Sequence, residues 1–158
     1  EKIALNFQGI KKSDVLEILD FLAKDSKVKD RVGVLMLRGD DLDVFPEGIT
    51  EFENIVNIDL YWTNIETIPQ TIDRLINLRK IKLPISVTEV PSSLYNLERL
   101  ETLDLSATAL EILPETIVNL KSLKELRLPG SILSLPQSIG GLKNLEILDL
   151  FFKMYLFP

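Results

Sequence analysis

The stretch Leu100-Glu101-Thr102-Leu103-Asp104-Leu105 decides the fold of this 158-residue chain. Leucines occupy its first, fourth and sixth positions, and the last two alternate with polar residues, as in a short strand with one buried face. When isoleucine and valine are counted with leucine, the same spacing recurs in six units that begin at residues 32, 55, 78, 100, 123 and 145. This regular step of 22 or 23 residues indicates an internal repeat.

The second half of each unit has a different period. Four prolines, Pro69, Pro91, Pro114 and Pro136, each open a segment in which an apolar residue follows at every third position. A period of three predicts 3₁₀ turns rather than a full α-helix. Proline fits the first position of such a turn, because the N–H that it lacks would be unpaired there. One unit cannot bury its own apolar face, whereas stacked units bury a continuous core.

This arrangement resembles the leucine-rich repeat of the roughly 23-residue class, whose motif is Leu-Pro-x-x-Ile-x-x-Leu. The resemblance covers residues 32 to about 150. It implies an α/β fold, a right-handed solenoid with a concave parallel β-sheet and short 3₁₀ or helical segments on its convex side. Proteins of this class are common in bacteria, notably in pathogenic spirochaetes, and in plant and animal signalling. The resemblance therefore also implies a protein-binding role.

Two parts are expected along the chain. Residues 1–31 form an N-terminal cap, a strand at residues 3–7 and then a helix whose N-cap would be Ser13. Residues 32–158 hold the six leucine-rich repeats, of which the last is incomplete. A cap is expected because the terminal unit of a solenoid has an apolar side that would otherwise face water.

The repeats depart from the family pattern in one position and alternate in another. The family asparagine, three residues after the second strand leucine, is replaced by Asp40, Thr63, Ser86, Thr108 and Ser131. Serine and threonine keep a donor and an acceptor, so hydrogen bonds between units can persist.

The units at 55 and 100 carry an acid in their strand, whereas those at 78 and 123 carry a base. This alternation indicates an ancestral duplication of a pair, with a true period near 45 residues.

Side chains between the two strand leucines point out of the concave face. From unit to unit they are Met36, Asp59, Lys82, Asp104, Arg127 and Asp149, and the charge changes sign at each step after Met36. Adjacent strands lie about 4.8 Å apart, so each acid is expected beside a base. Such a column acts either as a ladder that stabilises stacking or as part of a binding surface. A self-neutralised strip is poorly suited to a highly charged ligand.

The residues that follow the second strand leucine supply the predicted contact patch. We expect Arg38 to align with Tyr61, and Gly39 with Trp62 and Ile85. Exposed tyrosine and tryptophan are typical anchors of protein interfaces. The alternative is that Trp62 folds over its own turn. The predicted partner surface comprises Tyr61, Trp62, Ile85, Lys82, Asp104 and Arg127.

The C-terminal residues 151–158 are almost entirely apolar, where the repeat pattern predicts a polar turn. One interpretation is an open sheet edge flanked by aromatic residues, through which the chain self-associates. A second is a tail that folds back as a cap, and a third is that residue 158 is not the natural end. The predicted self-association residues are Phe151, Phe152, Tyr155, Leu156 and Phe157.

Composition argues against several function classes. The chain has no cysteine and no histidine, which removes thiol nucleophiles, imidazole bases and the usual zinc ligands. Its net charge is −6 and it has no Lys/Arg cluster, so a nucleic-acid partner is not expected. The acidic loop Asp40, Asp41, Asp43 and Glu47 lacks the spacing of a calcium loop and is interpreted as a solvated turn. No apolar stretch approaches the ~20 residues of a membrane span.

The sequence therefore predicts a non-catalytic module, without a cofactor, that binds a macromolecular partner through its concave face. The alternative function is a self-associating structural protein that oligomerises through its apolar C-terminal edge. The resemblance favours a bacterial secreted or cell-surface protein that contacts host proteins, with any leader sequence absent from this chain.

Overall fold

Seven parallel strands form one sheet in the computed structural model, which describes residues 2–150. The strands lie side by side in chain order, so each repeat adds one strand to the sheet. Their bounds are β1 Ile3–Gln8, β2 Val32–Gly39, β3 Asn57–Thr63, β4 Lys80–Lys82, β5 Thr102–Asp104, β6 Glu125–Leu128 and β7 Ile147–Leu150. This topology confirms the predicted leucine-rich-repeat solenoid.

The return path of each unit carries a 3₁₀ turn. The turns are Glu47–Glu51, Gln70–Arg74, Ser92–Asn96, Glu115–Asn119 and Gln137–Gly141. Each begins directly after a proline whose φ lies between −76° and −64°. The ring of proline fixes φ in this range, which favours the start of a turn. The period of three in the sequence therefore predicted the correct kind of turn.

The leucines of the strands form the core. Leu103 of β5 and Leu126 of β6 are fully buried, as are the two leucines that flank each of them in the repeat motif. Phe52 and Tyr95 are the largest fully buried side chains, and both lie on the return path. The core thus runs through the stacked units without interruption, as the hydrophobic effect requires of units too small to fold alone.

One backbone carbonyl in each unit joins it to the next. The carbonyls of Val56, Arg79, Glu101 and Lys124 each accept two N–H groups from the following unit, at 2.8–3.0 Å. All four residues directly follow the first apolar residue of their repeat motif. The repeated bond pattern sets the same register between every pair of these strands.

Side chains at the turns also link the units, and they do so in alternating fashion. The hydroxyls of Thr63 and Thr108 donate to the carbonyl three residues earlier in their own unit, both at 2.8 Å. The hydroxyls of Ser86 and Ser131 instead donate to a carbonyl 21 residues earlier, in the preceding unit, at 2.6 and 2.7 Å. Hydrogen bonding therefore alternates with the same two-unit period as the strand charges.

A set of asparagines on the return path joins the units a second time. Asn77 and Asn144 each donate through the side-chain amide to a carbonyl of the preceding unit, at 3.0 and 2.7 Å. Asn54 donates in the same way to the Asp30 carbonyl, which lies before the first repeat, at 3.0 Å. Each stands one residue before the start of its repeat motif. Sequence reasoning looked for asparagine after the strand and missed this position.

The N-terminal strand and helix lie against the first repeat. Strand β1 pairs in parallel with β2, and helix α1 spans Lys12–Lys24, followed by the short helix α2 at Ser26–Lys29. Val15 and Leu19 of α1 are buried. The apolar stripe of the helix thus joins the core at this end of the sheet.

The predicted Ser13 cap is wrong, because the N-cap of α1 lies two residues earlier. Lys11 is the N-cap, and the Lys12 N–H donates to the carboxylate of Asp41 at 2.8 Å. The Lys12 ammonium pairs with Asp43, and this bond lowers the pKa of the Asp43 carboxyl. The first N–H groups of a helix lack partners within it and favour nearby negative charge. The acidic loop that the sequence suggested was a solvated turn therefore anchors α1.

The predicted alternation of charge across the sheet is present in the strand register. Asp59 lies beside Lys82, Lys82 beside Asp104, and Asp104 beside Arg127, which in turn lies beside Asp149. One carboxylate oxygen of Asp104 is 3.7 Å from the Lys82 ammonium and 3.8 Å from the Arg127 guanidinium. Each base in the middle of the sheet is thus held near an acid.

A second charge ladder, which the sequence analysis missed, lies three residues before the first. Its members are Arg79, Glu101, Lys124 and Glu146. The Glu101 carboxylate pairs with the Arg79 guanidinium on one side and with the Lys124 ammonium, at 2.8 Å, on the other. Like charges directly opposite one another destabilise a sheet. A different order of the units would place like charges side by side in both ladders, so the alternating signs favour the observed order.

We expect Leu103→Ala to lower the free energy of unfolding by ~2–5 kcal/mol, because it leaves a cavity in a fully packed core. Urea unfolding followed by circular dichroism measures this change. Ile112→Ala is the matched control: its side chain is 71% exposed, and a change within ~0.5 kcal/mol is expected. Equal losses for the two variants would contradict the stacked core.

A second prediction concerns acid stability. The Lys124 and Arg79 side chains, Lys124 first, lower the pKa of the Glu101 carboxyl below its usual 4.5. A carboxyl with a lowered folded pKa stabilises the fold above its unfolded pKa, and this contribution disappears as the pH falls through the folded pKa. Glu101→Gln should therefore reduce the urea midpoint at pH 7 while changing it little near pH 3.

The control for this prediction is Glu17→Gln, on the exposed face of α1. Its urea midpoint is expected to follow that of the unmodified chain at both pH values. If Glu101→Gln lost as much stability near pH 3 as at pH 7, the ion pairs would not be the source of the effect.

Candidate protein-interaction surface

Strand β3 ends in an ordered aromatic pair. The backbone N–H of Tyr61 donates to the Asp59 carboxylate at 3.0 Å. The rings of Tyr61 and Trp62 meet edge to face, with centroids 4.8 Å apart and planes at 87°. The Lys82 ammonium lies 3.9 Å from the centroid of the Tyr61 ring. An edge-to-face pair and a cation over a ring are both favourable geometries, so these three side chains support one another.

Trp62 projects into solvent, with 56% of its surface exposed. A one-residue shift of register between Met36 and Arg38 of β2 gives β3 an extra residue. Trp62 therefore pairs with Arg38, and Thr63 pairs with Gly39. The predicted alignment of Arg38 with Tyr61 is wrong for this reason. Bulges of this kind redirect side chains at the edge of a regular ladder, here in the segment that presents Trp62.

A cleft of about 680 Å³ adjoins Trp62 where β1, β2 and β3 end. Its remaining lining residues are Gln8, Gly9, Ile10, Lys11, Arg38, Gly39, Asp40 and Asp41. Gly9 has a φ of 70°, a left-handed conformation in which glycine carries no side-chain strain. The turn at Gly9 thus helps to shape the cleft, which Trp62 also lines.

Asp104 is covered by its neighbours, with only 3% of its surface exposed. Besides the two bases of the ladder, it accepts bonds from the backbone N–H and the hydroxyl of Ser106, at 3.1 and 2.6 Å. A partner on this face would therefore meet Lys82 and Arg127 before it met Asp104. The carboxylate is placed to hold these two bases in position.

Arg127 lies two strands further along the sheet from Lys82. Its Nε and Nη2 atoms bond the Glu125 carboxylate at 2.8 and 2.7 Å. This pair with Glu125 is the main cause of the raised pKa of the guanidinium. Arg127 is thus held on the surface by two acids, Glu125 and Asp104, and remains partly exposed.

Ile85 occupies the turn after β4 and is 67% exposed. It stands seven residues after the start of its repeat, as Trp62 does in the preceding unit. The structure therefore brings Tyr61, Trp62 and Lys82 into contact and leaves Ile85 exposed in the next turn. The predicted self-association residues Phe151, Phe152, Tyr155, Leu156 and Phe157 lie outside the described residues.

The described residues 2–150 contain no group of three or more acidic, histidine or cysteine side chains that could hold a metal ion. Burial raises the pKa of Tyr95, and its hydroxyl has no hydrogen-bond partner within this part of the chain. No helix from residue 2 to residue 150 is long and apolar enough to cross a bilayer.

Comparison of the fold finds similar structures in bacteria and plants. A leucine-rich-repeat protein of Leptospira interrogans has a TM-score of 0.72 and 22% identity, over 92% of this chain and 41% of that one. An internalin of Listeria monocytogenes has a TM-score of 0.62 and 19% identity, over 80% and 37%. A plant peptide hormone receptor, solved in complex with RGF2, has a TM-score of 0.60 and 23% identity, over 95% and 23%.

The chain thus spans less than half the length of each of these three proteins. Comparison with curated proteins finds no match. The family model described as a leucine-rich repeat region matches residues 70–155, more than half of the chain. Together with the stacked parallel strands, this match establishes that the chain belongs to the leucine-rich-repeat family.

Proposed function

We propose that this chain is a non-catalytic module that binds another protein through the concave face around Tyr61, Trp62, Lys82 and Ile85. The observation that carries the proposal is the 56% exposure of Trp62, which Tyr61 holds in a fixed edge-to-face contact. Aromatic anchors of this kind contribute most of the binding energy in many interfaces. Leucine-rich repeats generally serve protein interaction rather than catalysis, which supports this role.

The patch combines the features that a protein partner needs. Trp62 and Ile85 provide apolar area, and burying a large apolar side chain contributes ~1.5–3 kcal/mol. Lys82 and Arg127 provide donors that the ladder already holds in place. Side chains held before binding lose less conformational entropy when the complex forms. A partner segment with an apolar side chain for Trp62 and an acceptor for Lys82 would fit this surface.

We further propose that the protein acts at a bacterial surface or outside the cell, in contact with host proteins. The similar folds of the Leptospira protein and the Listeria internalin support this proposal. The partner itself is left to the experiment, because these likenesses concern the fold.

A random peptide library displayed on phage tests the patch without a named partner. Peptides selected on the unmodified chain should lose more than about 90% of their enrichment on the double variant Trp62→Ala/Ile85→Ala, since anchor residues contribute several kcal/mol to binding. The matched control is Phe21→Ala/Ile76→Ala, which removes two similarly exposed apolar side chains elsewhere. It should retain the selected peptides. Equal retention on both variants, or equal loss, would contradict the proposed patch.

A second candidate function is self-association through the C-terminal end. It is favoured by the exposure of apolar side chains in the last two described units, among them Leu133, Ile147 and Leu148. Large exposed apolar areas mark interaction sites. This candidate predicts that light scattering after size exclusion gives at least twice the 17.9 kDa of one chain at high concentration. Deletion of residues 151–158 should then give a monomer, and a full chain that is monomeric at every concentration would exclude it.

A further inference from the structure

The last described strand, β7, carries an incomplete copy of both charge ladders. Among residues 2–150 it has one strand neighbour, β6, whose Arg127 lies directly beside Asp149. Glu146 stands in the same way next to Lys124 in the other ladder. Glu101 and Asp104 each have a base on both sides, whereas within residues 2–150 Glu146 and Asp149 have one on a single side. The edge of β7 thus presents two acids three residues apart.

The backbone of β7 is also arranged for a further strand. In four earlier units, the carbonyl at the Glu146 position accepts two N–H groups from the next unit. The N–H of Leu105, which corresponds to Leu150, donates to the Arg127 carbonyl of the next unit at 2.8 Å. By this equivalence, the Glu146 carbonyl and the Leu150 N–H face the edge and would give three hydrogen bonds to a parallel strand.

Apolar side chains on β7 lack the cover that the earlier strands have. Leu148 is 38% exposed, whereas its equivalents Leu103 and Leu126 are fully buried. A small apolar cavity of about 230 Å³, lined by Leu133, Leu135 and Leu150 among others, opens beside them. A strand that pairs with β7 would need apolar residues at alternate positions to fill this space.

We propose that the edge of β7 binds a parallel strand of a second polypeptide with the pattern base-x-leucine-base-leucine. The two bases of this pattern would pair with Glu146 and Asp149, and its leucines would cover Leu148. The Glu146 carbonyl and the Leu150 N–H would bond its backbone. The chain itself contains this arrangement, because Lys124 to Leu128 has the pattern and lies beside the acidic strand β5. Arg79 to Leu83, on the other side of β5, has the same pattern with Ile81 in place of the first leucine. The surface is separate from the Trp62 patch and does not depend on the function proposed for it.

Two peptides taken from the chain are matched probes. The basic peptide covers residues 122–136, and the acidic peptide covers residues 99–113, with Glu101 and Asp104 in place of Lys124 and Arg127. Fluorescence anisotropy of the labelled peptides with the full chain should give about tenfold tighter binding of the basic peptide at low salt, as expected for two partly exposed ion pairs. Added salt should reduce the difference.

A charge exchange in the protein locates the site. Glu146→Lys/Asp149→Lys should reverse the preference, so that the acidic peptide binds more tightly. Glu17→Lys/Glu53→Lys makes the same change in net charge at exposed positions away from β7 and should keep the preference for the basic peptide. Circular dichroism confirms that both variants fold.

Three results would overturn the proposal. One is equal affinity for the two peptides, and another is a preference that survives the exchange at Glu146 and Asp149. The third is failure of the full chain to bind either peptide. This result would count against the proposal for a monomer and equally for a dimer in which a second copy occupies the edge.

Discussion

Every feature of this molecule depends on one constraint, namely that a single repeat cannot bury its own leucines. Leu103 and Leu126 are fully buried because a strand packs on each side of them, and Leu148, in the last described strand, is not. Apolar burial is the main favourable contribution to folding, so the units have to stack. The parallel backbone ladder then forms with the same register at each step, since it satisfies the polar groups that stacking removes from water.

Stacking places charged side chains of neighbouring units side by side, and many of these pair with one another. The two ladders around Glu101 and Asp104 bring opposite charges together in adjacent units. Ion pairs with access to solvent, such as those of Glu101, contribute only ~0–1 kcal/mol each, so their main effect is to favour one order of units. Trp62 and Ile85 differ from this group, because neither packs into the core nor joins a ladder. Their exposure adds nothing to stacking, which is why we propose them as binding residues.

The sequence predicted the features that follow from periodicity. The spacing of Leu100, Leu103 and Leu105 was sufficient for the strands, the prolines for the 3₁₀ turns, and the order of Asp59, Lys82 and Asp104 for the ladder register. These properties repeat in every unit, so a pattern that arose by chance in one unit would not recur in the others. A second alternating column, at Arg79 and Glu101, was equally visible in the aligned units and was overlooked.

Features that occur once along the chain were not predictable in this way. The register shift next to Met36 depends on how β2 and β3 pair, and it moves Trp62 beside Arg38. The helix α1 begins at Lys12 because Asp41, 29 residues away in sequence, accepts its N–H. The burial of Asp104 results from long side chains in two neighbouring units. Each depends on contacts between distant residues, which neither local propensity nor repeat spacing encodes.

The most direct test of the account is to map where a selected peptide contacts the protein, by amide chemical-shift changes in the NMR spectrum of the full chain. The largest changes are expected in residues 36–39, 59–63 and 82–86, where the strands meet the exposed aromatic pair. Changes confined to the 3₁₀ turns of the return path, such as Ser92–Asn96, would contradict the account, because the binding surface would then lie on the opposite side of the solenoid.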